Sequence, residues 1–121
     1  MLRRLIFAVA LSGACSIAGV AVAFDQGEGG YFQNGNRLLE WCESSESLAL
    51  AYVTGAYDAA QYMSVFVGSE AYAPTICTPA GSQNTQYRDI VCRYVDDHPE
   101  ARTSSATSLV VMALQEAWPC P

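Results

Sequence analysis

Apolar and small residues recur every three or four positions in four windows of this chain, the spacing that gathers them on one face of an α-helix. The first window is Arg37 to Cys42, anchored by Leu38, Leu39 and Trp41. Asn34 or Asn36 stands ready to cap it, and a short helix of about two turns is predicted. Next come Ser44, Ser45, Glu46 and Ser47, which offer acceptors and a negative charge to the free N–H groups of a second helix start. From Leu48 the pattern continues through Tyr52, Ala56, Ala59, Ala60, Met63, Phe66 and Val67, so the longest helix is expected to end near Gly68. Gly55 lies inside it at a cost of about 1 kcal/mol against alanine, which suggests a close helix crossing there.

Residues 68–84 break the periodicity with Pro74, Pro79 and Gly81 and read as one long loop, which Cys77 would pin if oxidised. A third helix carries Tyr87, Ile90, Val91, Tyr94 and Val95 behind Ser82 or Asn84 as cap. Asp96-Asp97-His98-Pro99 interrupts it, because a residue before proline is pushed out of helical geometry. A fourth helix, starting between Pro99 and Ser104, sets Leu109, Val110, Ala113, Leu114 and Ala117 on one face before Pro119-Cys120-Pro121 stops it. No window alternates apolar and polar residues with the β-branched density a sheet needs, so the fold class is all-α: a bundle of about four helices.

The N-terminus changes the picture by setting the compartment. Arg3 and Arg4, the apolar run from Leu5 to Leu11 and Ala21-Val22-Ala23 form a secretory signal with its cleavage site, so 1–23 is expected to be removed and Cys15 with it. Residues 24–33 form a loose acidic, glycine-rich leader, and 34–121 the domain. All 12 acidic residues lie after the signal against 4 of the 6 basic ones, a formal charge of −8, and there is no lysine. Such a chain is repelled by phosphate backbones and anionic headgroups; nucleic acid and membrane surface are poor partners and a basic protein a better one. So small a domain has a thin hydrophobic margin. Four cysteines, Cys42, Cys77, Cys92 and Cys120, in an oxidising compartment therefore read as two disulfides, with three pairings open.

Candidate chemistry is sparse. Oxidised thiols cannot pair with His98 as a nucleophile, and His98 is expected to cap the fourth helix or to sit exposed at the Asp-Asp-His-Pro turn. Cysteine separations of 35, 15 and 28 residues contain no close pair of the kind zinc sites use. Asp96 and Asp97 are adjacent rather than opposed, which suits a solvated helix end or an acidic partner contact more than a tuned acid and base. No enzyme activity, cofactor or metal is therefore expected. Tyr57, Tyr62 and Tyr72 fall off the helical stripes and are candidate interface anchors or partly buried packing residues.

Several segments, in order, resemble the Rap/Tai family of periplasmic immunity proteins, which protect bacteria from peptidoglycan amidases delivered by type VI secretion. They are Asn36-Arg37-Leu38-Leu39-Glu40-Trp41-Cys42, Tyr52-Val53-Thr54-Gly55-Ala56-Tyr57-Asp58-Ala59 and Ile76-Cys77-Thr78-Pro79-Ala80-Gly81, then Gln86, Tyr94 and His98-Pro99-Glu100-Ala101-Arg102, and last Ala113-Leu114 and Trp118-Pro119-Cys120. Together they span about 34–120. The family commonly carries a cysteine three residues before the tyrosine of its Y-x-x-G segment; here that position is Ala49, and Cys92 offers a thiol from the third helix instead. The resemblance implies a small helical fold, often dimeric, that occludes an amidase active site. It also marks Gly55, Asp58, Pro79, Gly81, Pro99 and Pro119 as structural motif positions.

The function these readings imply is a periplasmic immunity protein that binds and inhibits a cognate amidase. The rival is a periplasmic stress or chaperone-like helical binder with no toxin partner. Contact residues are expected in the 68–84 loop, Tyr72 included, and at the turn carrying Asp96, Asp97, His98 and Glu100.

Overall fold

The computed structural model describes residues 32–66 and 76–121. Among the described residues four α-helices follow in order, α1 Gly35–Ser44, α2 Glu46–Phe66, α3 Asn84–Asp97 and α4 Ala106–Ala117, with a 3-10 turn at Pro99–Ala101 between the last two. Among the described residues no strand forms; Asn34 pairs with Ser105 and Ile76 with Pro119 as isolated bridges. The signal, most of the leader, Val67 and the first part of the expected loop with Tyr72 lie outside the described residues.

Asn34 caps α1, its side-chain oxygen accepting from Arg37 N–H at 3.1 Å. The helix starts at Gly35 and runs to Ser44, longer than the two turns expected. Ser45 then serves two helices: its N–H donates to Trp41 O at 2.8 Å and its carbonyl accepts from Ala49 at 3.0 Å. One residue therefore makes the whole corner, and Glu46 places its charge in the first turn of α2, where the helix dipole favours an anion.

The core is a single cluster in which Leu38, Val53, Val91, Leu109, Val110 and Leu114 are fully enclosed, with Ala56, Ile76, Val95, Ala106 and Ala113 filling the gaps between helices. The buried face of α2 runs along Ala49, Val53 and Ala56. That is shifted from the expected stripe: Ala59, Tyr62, Val65 and Phe66 are exposed, and the fully buried positions of α2 all lie in its first half. Gly55 lies on the outer face with nothing within 4 Å of where its Cβ would be; among the described residues no helix crosses there, contrary to the expectation.

Two further helix boundaries differ from the pattern-based reading. Neither Ser82 nor Asn84 caps α3; Gln83 holds that position, its N–H donating to Gln86 Oε1 at 2.7 Å. Ser82 instead closes the preceding turn, with both its N–H and its hydroxyl donating to Pro79 O. Gly81 in that turn has φ +83°, a left-handed conformation that favours glycine. The fourth α-helix begins not between Pro99 and Ser104 but at Ala106, behind Ser105, whose hydroxyl oxygen accepts from Ser108 N–H at 3.3 Å. Pro99 starts a 3-10 turn because its ring fits a first helical turn but cannot extend α3.

The two disulfides close Cys42 to Cys92 and Cys77 to Cys120. Cys42–Cys92 joins α1 to α3, with Ala49 fully buried nearby in sequence at the head of α2. Cys77–Cys120 ties the strand-like entry to α3 onto the C-terminus, reinforced by Cys77 N–H donating to Trp118 O at 2.9 Å.

Candidate surface for binding a partner

A rigid scaffold positions three surface features. The first is the end of α3, where the His98 ring stacks on Tyr94 with centroids 4.1 Å apart and its Nδ1 lies 2.8 Å from Tyr94 O. A carbonyl only accepts, so Nδ1 carries the proton. His98 thereby caps the C-terminus of α3, not the start of the fourth helix, and is half-buried rather than exposed.

Arg102 finishes the same helix end. Its Nε donates to Val95 O at 2.8 Å and its Nη2 to Asp96 O at 2.7 Å, neutralising terminal carbonyls that point the negative end of the helix dipole at solvent. The Asp96 carboxylate, itself exposed, stands 3.5 Å from the same guanidinium, so of the two adjacent aspartates Asp96 is the one paired with the chain's own cation. Asp97 faces away, into a groove of about 190 Å³ between α3 and α4. Ile90, Tyr94, Ala113 and Ala117 line it, with Arg93, His98 and Glu116 at its edges. Glu100 lies outside this lining, yet its charge reaches Tyr94.

The second feature is a shallow pocket of about 230 Å³ formed by Thr54, Tyr57 and Asp58 of α2 with Ser82, Asn84 and Tyr87. Tyr57 bonds to the Thr78 hydroxyl at 3.0 Å and packs edge-on to Tyr87, which packs edge-on to Trp118. Burial above all pushes the Tyr87 phenol above its ordinary range, with Tyr57 adding to the rise. Tyr57 is therefore a packing residue of this aromatic chain, and Asp58 its exposed neighbour.

The third is apolar. Tyr62 and Phe66 stack at 4.7 Å on the last turns of α2 while 58% and 71% exposed, with Val65 beside them. Of the motif positions, Gly81 and Pro79 build the turn before α3, Pro99 opens the 3-10 turn and Pro119 pairs with Ile76. No group of three or more histidine, cysteine or acidic side chains is placed to hold a metal among the described residues, and no described helix is long and apolar enough to cross a membrane.

Sequence reasoning placed Asp97 at the surface but missed the residues that share the groove with it. Tyr94, on the same helix, reads as core by periodicity, and Glu116 stands on α4, which no local pattern links to α3. The i, i+4 spacing of Tyr94 to His98 and of Arg93 to Asp97 was the available signal.

Compared with known proteins, a family model described as Rap1a immunity proteins matches residues 34–120. No curated protein and no solved structure matches the chain.

Proposed function

The chain belongs to the family of Rap1a immunity proteins, and from that membership we propose that it acts in the periplasm, binding a cognate peptidoglycan amidase delivered by type VI secretion and blocking its active site. The family match over nearly the whole domain carries the reading. Its physical side is consistent with inhibition by occupancy, without turnover by the protein itself. Two disulfides and a single enclosed core hold the surface in one arrangement, so little ordering entropy is lost on binding. The excess of carboxylates steers a basic partner toward it.

The contact surface is proposed to include the turn from Asp97 to Glu100 and the segment preceding Ile76 that holds Tyr72. The oxidised protein, used as bait in periplasmic extract of cells receiving type VI effectors, should recover a peptidoglycan amidase. Alanine at Asp97 and Glu100 should weaken that complex without lowering the melting temperature. Recovery of no hydrolase, or hydrolytic turnover of peptidoglycan by the purified chain alone, would overturn the reading.

A further inference from the structure

The groove between α3 and α4 joins an apolar floor to an anionic rim. Ile90, Ala113 and Ala117 form the floor, and the stacked Tyr94–His98 pair forms a wall. Asp97 from α3 and Glu116 from α4 stand at the rim, and neither carboxylate makes an ion pair or side-chain hydrogen bond among the described residues. The remaining charged lining residue, Arg93, is exposed and likewise in no ion pair. At about 190 Å³ the groove is below the ~300–1,000 Å³ of drug-sized ligand sites, and its size suits one long side chain. The Tyr94 phenol is held above its ordinary range by burial first and then by the carboxylates of Glu116 and Glu100.

We propose that this groove is a docking slot for an arginine side chain of a protein partner, with the guanidinium against the Tyr94 ring and between the carboxylates of Asp97 and Glu116. The alkyl stem of such a residue covers Ile90, Ala113 and Ala117 while its head keeps its polar contacts. Arginine is favoured over lysine because its planar fork stacks on an aromatic face and meets carboxylates with paired donors. Arg93, four residues before Asp97, is the chain's own competitor for that carboxylate. The identification of the partner as an amidase rests on the immunity reading; the slot itself rests on the groove.

The test uses the oxidised, exported chain labelled for NMR and titrated with acetyl-Gly-Arg-Gly-amide and its lysine and citrulline counterparts. The amide signals of Tyr94, Asp97, His98 and Glu116 should move together along one saturable curve with the arginine peptide, more weakly with lysine, and not saturably with citrulline. The double variant Asp97→Asn/Glu116→Gln should weaken the arginine peptide roughly tenfold through loss of two charge-assisted contacts, while Arg93→Ala tightens it. Equal response to citrulline, or shifts only outside the groove, would overturn the slot. An amidase inhibited equally well by the double variant would also remove the slot and leave the immunity reading standing. Arginine binding in a chain that inhibits no amidase would do the reverse.

Discussion

Gly35 lies so close to Arg102 that a Cβ on the glycine would stand 2.7 Å from Arg102 Cα and 2.9 Å from its carbonyl oxygen. The approach is forced by hydrogen bonds from Gly35 N–H to Ser104 O and from Asn36 N–H to Arg102 O, both 3.1 Å, which lay the start of α1 on the loop before α4. Alanine is the better helix former by up to about 1 kcal/mol. Overlap with backbone atoms outweighs that gain, since forcing an extra methyl into a packed contact costs about 1–3 kcal/mol. Gly35→Ala should therefore lower the urea midpoint; an unchanged or higher midpoint would contradict the close approach.

Gly55 should behave in the opposite sense. It sits mid-helix on the outer face of α2 with open space where a Cβ would go. Gly55→Ala should raise stability by about 0.5–1 kcal/mol through helix propensity alone, read from the same urea titration.

The disulfides should differ in how readily they are reduced. Cys77 is exposed, whereas Cys42 and Cys92 are both half-buried among the helices. Graded dithiothreitol followed by alkylation and peptide mass spectrometry should label Cys77 and Cys120 before Cys42 and Cys92. Replacing Cys42 and Cys92 together by alanine should cost about 2–4 kcal/mol, because the bridge spans a sequence separation of 50 residues.

Alkali should destabilise the fold through Tyr87 and Tyr94. Both phenols are raised above the ordinary value of 10.0, mainly by burial. A raised value means that the folded state holds the proton more tightly than the unfolded chain does. The resulting stability is present below about pH 10 and is lost as pH climbs through the raised values. Melting temperature should fall in that range, and Tyr94→Phe should blunt the fall.

The helices were legible in the sequence because each carries a strong local signal: Leu38 and Trp41 behind the Asn34 cap, the Val91–Val95 stripe, and Pro99 as a stop. What was misread depends on tertiary packing. Periodicity continues through Phe66, but Ala59, Tyr62, Val65 and Phe66 are exposed, so the buried stripe of α2 does not follow it. Gly55 carries a helix penalty in any context, and only the register of Ala49, Val53 and Ala56 shows that it faces solvent. The disulfide pairing needed the crossing of α1 with α3, which brings the Cys42 and Cys92 Cα atoms within 5.6 Å. The groove was hidden for the same reason: Asp97 and Glu116 line one groove only once α3 packs on α4.

The most direct test of the central claim is the rate at which the captured amidase opens peptidoglycan sacculi with increasing amounts of the oxidised protein. The account predicts that release of new peptide termini falls to background near one equivalent, and that reduction of both disulfides restores it. An amidase that is bound at saturation yet cleaves at its full rate would contradict it.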